Sequence, residues 1–356
     1  MFGLRQFDHE WLSDDFVTES QRIAEGESAI EHHYVPQMYL RRWALNRQVQ
    51  PVKVDESWIG KPKSPKSIAK EPDFYTLPSV GTTLDLPLRW IETHLGRIET
   101  KCSQRLDSVV AQGPGVVSDE ATRRDLSVFL GLQVTRTPSA REHTLVVINM
   151  PDHLKRRILM GLYPGLSVAE VDQAMRHRQA DATHEALDLM IKDVRNTLAS
   201  DLIEREWAIY QTTGPVVTCD DPVVFVAGPR FPRSLSVRGE SAAVLYPLDP
   251  AHLLVMLKPG LRHRGPYLLN KEETRSVNVE VVGAASKTAF ERPGDGIVSS
   301  IHVSVRPEVV ELDDEAIRRL DDAAVMQLFV RGAVPRSRWA TADFPPDWPV
   351  PRWYNG

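Results

Sequence analysis

The hydrophobic pattern of the chain changes near residue 206. Before this point, apolar residues recur at three- and four-residue steps, most clearly in one long amphipathic helix at Leu88, Ile91, Leu95, Ile98 and Cys102. After it, short β-rich runs are separated by turn residues, at 207–210, 222–226 and 253–257. This order predicts an α+β protein, in which a helical N-terminal half packs on a mostly antiparallel sheet in the C-terminal half.

No clear linker divides the chain, and we predict one large domain with a shorter region on each side. Residues 1–30 are polar and weakly patterned, and they form an N-terminal extension with one short helix near Asp15–Ala24. Residues 31–305 form a single compound α+β domain. Residues 306–356 contain a C-terminal helix at Asp313–Phe329 and an arm rich in proline and tryptophan.

The composition of the 356 residues is that of a globular protein, with 42% hydrophobic and 26% charged residues. A net charge of -5 argues against a protein that coats nucleic acid, and the sequence has no strong nucleic-acid signal. No apolar run approaches the roughly 20 residues that cross a bilayer, and the first 20 residues lack a secretory signal. Two cysteines are too few for a disulfide framework, so we expect a cytoplasmic protein with reduced thiols.

A run of unusual composition begins at His32 and His33 and leads into Pro36. Proline suits the first position of a helix, because its missing N–H would have no partner there. Neighbouring side chains of an extended segment point to opposite faces, so the two histidines do not both serve one site. His33 suits a metal ligand or a proton carrier, but a lone histidine is more often a packed, hydrogen-bonded side chain.

Two further polar pairs lie on predicted helices. Glu92 and Glu99 are two helical turns apart, about 10.5 Å, so one ion binds both only if the helix bends. Gln133 falls on an apolar helix face, where an amide without partners costs roughly 1–3 kcal/mol. Arg136 is one turn further and suits a carboxylate or a substrate phosphate. Its protein partner would be one of three carboxylates, Glu92, Glu99 or Asp220.

Another candidate, Asp220, lies between two predicted strands in the run Thr218 to Pro222. A carboxylate released into a turn after a strand suits a metal site or an acid catalyst. An aspartate near a proline is equally typical of an ordinary turn. The neighbouring Cys219 has no base at a recognisable spacing, so a cysteine nucleophile is a minor hypothesis.

These signatures occur in a fixed order: His33-Tyr-Val-Pro-Gln-Met-Tyr-Leu40, Gln133-Val-Thr-Arg-Thr-Pro138 and Thr218-Cys-Asp-Asp-Pro-Val223. In this the chain resembles the bacterial domain-of-unknown-function family 4238, over roughly residues 31–290. The family has no established activity to transfer. Its typical members have serine at the position of Cys219, which argues against a shared cysteine mechanism.

The favoured hypothesis is a metal-assisted hydrolase, such as a nuclease or phosphoesterase, with a polar pocket. Its predicted catalytic residues are His33, Glu92, Gln133, Arg136 and Asp220. Its predicted ligands for a divalent ion such as Mn²⁺, Zn²⁺ or Fe²⁺ are His33, Glu92, Glu99 and Asp220. No compact metal-binding motif supports this set.

Two alternatives remain open, and so does the question of whether the protein is an enzyme. In one, a pocket lined by His33, Gln133 and Arg136 binds an anionic small molecule or a phosphate-bearing partner without chemistry. In the other, the same residues only determine the fold. A convergence of the candidate residues in one concave pocket would favour a site over a purely structural role.

Overall fold

The computed structural model describes residues 6–28, 30–77, 86–162, 165–176, 182–227, 241–306, 315, 318–325, 338–341 and 349–354. The α-helices in this part are α1 (Asp14–Ile23), α2 (Gln37–Leu40), α3 (Trp90–Ala111), α4 (Glu120–Thr135), α5 (Pro138–Asn149), α6 (Asp152–Leu162), α7 (Val168–Arg176), α8 (Ala182–Asp193), α9 (Ala199–Ile203) and α10 (Lys271–Ala284). A π-helical segment, Val194–Leu198, joins α8 to α9.

The strands in the described residues are β1 (Glu31–His33), β2 (Gln50–Lys53), β3 (Trp58–Ile59), β4 (Lys70–Pro72), β5 (Gly115–Val116), β6 (Glu206–Thr212), β7 (Thr218–Cys219), β8 (Val224–Ala227), β9 (Ser241–Asp249), β10 (His252–Leu257), β11 (Leu268–Leu269) and β12 (Thr288–Glu291). The longest helices precede the longest strands, so the α+β prediction is confirmed.

Three sheets organise these strands. The largest has the order β11-β6-β10-β9-β8, with β5 also paired to β6. A four-stranded sheet has the order β3-β2-β12-β7, and β1 pairs with β4. Among the described pairs only β11 and β6 run parallel. The four-stranded sheet takes β2 and β3 from the N-terminal half, so the C-terminal sheets are completed by strands from early in the chain.

The largest sheet lies between two hydrophobic cores, because alternate residues of a strand face opposite sides. One face packs against the N-terminal helices and includes Trp207, Tyr246 and Met256. The other face packs against α10 and includes Tyr210, Leu245 and Val255. Burial on both faces explains why β6, β9 and β10 are nearly continuous hydrophobic runs.

Both ends of the described chain contribute to these cores. The helix predicted near Asp15–Ala24 is present as α1, and Trp11 and Phe16 are buried in the helical core. Near the other end, Trp353 is buried in the second core. Most of the helix predicted at 313–329 lies outside the described residues. None of the described helices has the length and apolar character needed to span a membrane.

The turn between α4 and α5 positions most of the polar residues discussed below. Arg136 is the C-cap of α4, and Thr137 is the N-cap of α5, where its hydroxyl accepts from the Ala140 amide. Pro138 takes the first helical position, where a proline costs no hydrogen bond. The run from Gln133 to Pro138 therefore ends one helix and starts the next within three residues.

Candidate functional site

Arg136 is the centre of a buried polar network that joins four segments of the chain. Its side chain is buried, and its Nη1 donates to Glu99 Oε1 at 2.6 Å. Its Nη2 donates to the His33 carbonyl oxygen at 2.5 Å, and its Nε donates to the Tyr75 hydroxyl at 3.2 Å. The Tyr75 hydroxyl in turn donates to the Arg136 carbonyl oxygen at 2.9 Å. Of the three possible carboxylate partners, Glu99 is the one that binds Arg136 directly.

His33 contributes to this network through its backbone, while its ring is held by other protein groups. Its Nε2 lies 3.2 Å from the Lys66 carbonyl oxygen, and its Nδ1 lies 3.4 Å from the Gln37 amide nitrogen. Since a carbonyl oxygen only accepts, Nε2 carries the proton and Nδ1 accepts. Burial lowers the pKa of His33 below its usual value. These contacts favour the packed, hydrogen-bonded histidine among the roles predicted for His33.

Glu92 lies in the first turn of α3, close to Arg136 and Glu99. The His33 amide donates to its carboxylate, but its Oε2 is buried with no hydrogen-bond partner among the described residues. Burial raises the pKa of Glu92 to about 7, against the opposing effect of the Arg136 charge. Glu92 is therefore the predicted catalytic residue best suited to gain or lose a proton near neutral pH.

Replacing Glu92 by glutamine is expected to stabilise the protein at pH 8 by about 2–3 kcal/mol. The folded-state pKa lies above the unfolded value, so the native carboxyl favours folding when protonated and loses this effect as the pH rises through 7. Glutamine stays neutral and still accepts from the His33 amide. Urea denaturation at pH 5 and pH 8 measures the difference, which should fall to about 1 kcal/mol or less at pH 5.

Glu56→Gln is the control for this comparison, because the Glu56 side chain is 62% exposed. We expect it to change the free energy of unfolding by less than about 0.5 kcal/mol at both pH values. A destabilised Glu92→Gln variant at pH 8 would mean that Arg136 holds Glu92 as a carboxylate, contrary to this account.

Gln133 is buried on α4, one turn before Arg136, as the sequence pattern predicts. Both polar atoms of its side chain lack a hydrogen-bond partner among the described residues. The hydroxyl of Tyr246, another group in the same helical core, is also unpartnered there. Gln133 is therefore a buried polar side chain with no hydrogen bond to the Arg136 network.

Asp220 makes its side-chain hydrogen bonds to a different part of the chain from the Arg136 network. Its carboxylate accepts from the backbone amides of Ser286, Lys287 and Thr288 at 2.6, 2.8 and 2.8 Å. These amides lead from α10 into β12, which pairs with β7 just before Asp220. Burial and the nearby Asp221 carboxylate raise the pKa of Asp220, and the three amides lower it. These bonds give Asp220 a structural role at this junction.

The predicted metal ligands do not converge on one metal centre. No group of three or more His, Cys, Asp or Glu side chains in the described part of the chain is placed to hold a metal ion. Glu99 pairs with Arg136, the His33 ring is bonded to Lys66 and Gln37, and Asp220 binds backbone amides. In this structure His33, Glu92, Glu99 and Asp220 each contact a different group, and their role as shared metal ligands stays a prediction.

Cys219 does not have the environment of a nucleophile. It is fully buried in β7, and burial raises the pKa of its thiol well above the usual value. A reactive cysteine needs a lowered pKa and access to solvent. The structure thus agrees with the minor weight given to a cysteine mechanism.

A narrow, partly open cleft lies beside Arg136, between the α4–α5 turn and α8. Its polar wall contains two arginines, Arg136 and Arg141, and two threonines. Its remaining lining is aromatic or apolar, from Phe74, Tyr75, Ala186, Leu187 and Met190. Arg141 donates to the Phe74 carbonyl oxygen, and its guanidinium carbon lies 4.8 Å from the centre of the Phe74 ring.

The sequence pattern does not identify Phe74, Tyr75 or Arg141 as site residues. The local sequence pattern places Arg141 four residues after Thr137, in the first turns of the helix that begins at Pro138. Nothing in the local pattern showed which side of α5 faces α8, and that packing is what turns Arg141 into the cleft.

A protein-family model matches most of the chain. It is described as "Protein of unknown function (DUF4238)", and it matches residues 31–295. The chain belongs to this family. The match includes the Arg136 network, all of the cleft and Asp220. No curated protein and no solved structure matches the chain.

Proposed function

We propose that this DUF4238 protein binds a small anionic molecule with an apolar or aromatic body, in the cleft beside Arg136 and Arg141. The observation that carries the proposal is the pairing of two arginines with an aromatic and apolar wall in one cleft. Ligand sites typically combine a mostly apolar lining with a few polar groups that fix the orientation of the ligand.

The charge of the cleft supports an anionic ligand. Arg136 has five N–H groups, and three hydrogen bonds hold its guanidinium in place. The neighbouring carboxylate and phenol raise its pKa above the usual value, so it stays charged throughout the accessible pH range. Because Arg136 is ion-paired with Glu99 and its side chain is 1% exposed, the half-buried Arg141 is the group that donates to the ligand, and Arg136 adds positive charge behind it.

The lining of the cleft defines the rest of the ligand. Its aromatic and apolar side chains favour a ligand with a small apolar body beside the anionic group. Leu187 and Met190 offer an apolar surface to that ring, and Tyr75 offers an aromatic one. The hydroxyls of Thr135 and Thr144 supply neutral hydrogen-bonding groups at the same cleft.

This proposal keeps the binding-module hypothesis of the sequence analysis but moves its site, because of His33, Gln133 and Arg136 only Arg136 lines the cleft. A metal-assisted hydrolase has less support, because its four ligands are directed to different partners. The purely structural hypothesis fits Asp220 and the His33 ring, but it does not account for two arginines that line a cleft.

Binding of benzoate and phenyl phosphate, with benzamide as the neutral isostere of benzoate, tests the proposal by titration calorimetry. We expect both anions to bind with millimolar or tighter dissociation constants, and benzamide to bind at least tenfold more weakly. Arg141→Gln should weaken the binding of both anions about tenfold, since a hydrogen bond to a charged group contributes roughly 1.5–3 kcal/mol. Arg141→Lys should recover part of the affinity.

Arg22→Gln is the matched control, because Arg22 is an exposed arginine on α1, and it should leave binding unchanged. Equal affinity for benzoate and benzamide would contradict an anion site. Unchanged benzoate binding by a folded Arg141→Gln variant would place the ligand elsewhere.

A further inference from the structure

A second polar cluster lies on the face of α5 that points away from the cleft. Ser139 and His143 are four residues apart and share this face, whereas Arg141 lies about half a helical turn away. The His143 Nδ1 lies 2.7 Å from the Ser139 carbonyl oxygen. Because that oxygen only accepts, Nδ1 carries the proton and the lone pair of neutral His143 is on Nε2.

The Asp221 carboxylate completes a set of hydrogen-bond acceptors around this point. It is half-buried in the turn after β7, within electrostatic range of His143. The side-chain hydroxyls of Thr137 and Ser139 donate to it. Burial lowers the pKa of His143, so its Nε2 is an acceptor at neutral pH. The cluster thus offers a carboxylate and a hydroxyl oxygen to one neighbouring group, with the neutral imidazole of His143 close by.

In this structure the neighbouring group is the guanidinium of Arg306. Its Nη2 donates to the Ser139 hydroxyl, and its Nη1 lies 3.8 Å from Asp221 Oδ2. The Nη1 atom is buried but makes no hydrogen bond within the described part of the chain. Charge-assisted hydrogen bonds of this kind are normally about 2.7–2.9 Å long. Arg306 therefore has the right chemistry for the cluster, but among the described residues only its Nη2 makes a hydrogen bond there.

Arg306 also comes from a segment that is separate from the elements forming the cluster. Residues 301–306 form neither helix nor strand, and they follow the range that the family model matches. The ion pair of Arg306 with Asp221 is mostly buried, at 17% and 21% side-chain exposure, yet Arg306 Nη1 is without a hydrogen bond to the described residues. A cation that donates to Asp221 at normal hydrogen-bond length would gain the interaction that Arg306 lacks, and it can therefore compete with Arg306.

We propose that the cluster of Thr137, Ser139, His143 and Asp221 is a binding site for the guanidinium or ammonium group of a ligand. Arg306 is its internal occupant and competes with that ligand. The site is distinct from the anion-binding cleft, because the two lie on opposite faces of α5. Its acceptor chemistry selects cationic hydrogen-bond donors, whereas the cleft selects anions.

The test measures binding of methylguanidinium to the full chain by calorimetry, with methylurea as the neutral isostere. Arg306→Gln removes the internal competitor, so we expect it to bind methylguanidinium at least tenfold more tightly than the unmodified protein. Adding Asp221→Asn to this variant should abolish the gain. Arg292→Gln, which removes an exposed arginine paired with Asp295, should behave like the unmodified protein.

Two results would overturn the proposal: no binding of methylguanidinium by folded Arg306→Gln, or equal binding of methylurea. If Arg306→Gln does not fold, the unmodified protein still decides the matter through the ¹⁵N NMR signal of Arg306 Nε. Millimolar methylguanidinium should shift this signal and methylurea should not. A signal that is unchanged by methylguanidinium contradicts displacement of Arg306.

Discussion

Replacing Arg136 by methionine is expected to lower the free energy of unfolding by about 3–5 kcal/mol, the usual cost of removing one partner of a buried ion pair. Methionine fills much of the space of the arginine but leaves the Glu99 carboxylate and the His33 carbonyl without this donor. The Tyr75 hydroxyl loses the hydrogen bond from Nε and keeps its bond to the backbone carbonyl of residue 136. Urea denaturation followed by circular dichroism measures the change.

A lysine variant separates the charge of Arg136 from its shape, and a variant of an exposed arginine serves as the control. Arg136→Lys keeps the charge but cannot donate to three separate groups from one planar fork, so we expect an intermediate loss of stability. Arg22→Gln, at an exposed ion pair, should change stability by less than about 1 kcal/mol. An Arg136→Met variant as stable as the unmodified protein would show that the network does not hold the four segments together.

Replacing Asp220 by alanine should destabilise the protein by about 3 kcal/mol or more. Three backbone amides then lose their acceptor, and each buried donor left without a partner costs roughly 1–3 kcal/mol. Thermal and urea unfolding measure the loss, and Asp220→Asn, which retains one carbonyl oxygen, should lose less. Because the amides belong to the junction between α10 and β12, the effect should appear as a loss of global stability.

Asp107→Ala is the control for the Asp220 series, because the Asp107 side chain is 71% exposed. We expect a change of less than about 1 kcal/mol. A stable Asp220→Ala variant with altered ligand binding would contradict the structural role and restore Asp220 as a site residue.

The sequence predicted the architecture well because periodicity is a local property. The stripe of α3, the N-cap and proline that start α5 and the β-rich runs after residue 206 are each visible within a window of a few residues. The carboxylate partner of Arg136, in contrast, depends on contacts between distant parts of the chain. Glu92, Glu99 and Asp220 were equally acceptable, and only the packing of α3 on α4 selects Glu99.

The functional residues show the same division between local and long-range information. Gln133 was correctly placed on a buried face, because its position relative to Phe129 and Leu130 is local. Asp220 looked like a site residue, since its amide partners lie more than 60 residues later in the chain. The cleft was not predictable, because Arg141 enters it only through the packing of α5 beside α8.

A crystal structure of the protein with bound benzoate is the most direct test of the proposed anion-binding cleft. We expect the carboxylate of benzoate within hydrogen-bond distance of the Arg141 or Arg136 guanidinium, and its ring against Tyr75 and Leu187. Benzoate bound outside this cleft, or a cleft left empty at saturating benzoate, would contradict the proposed function.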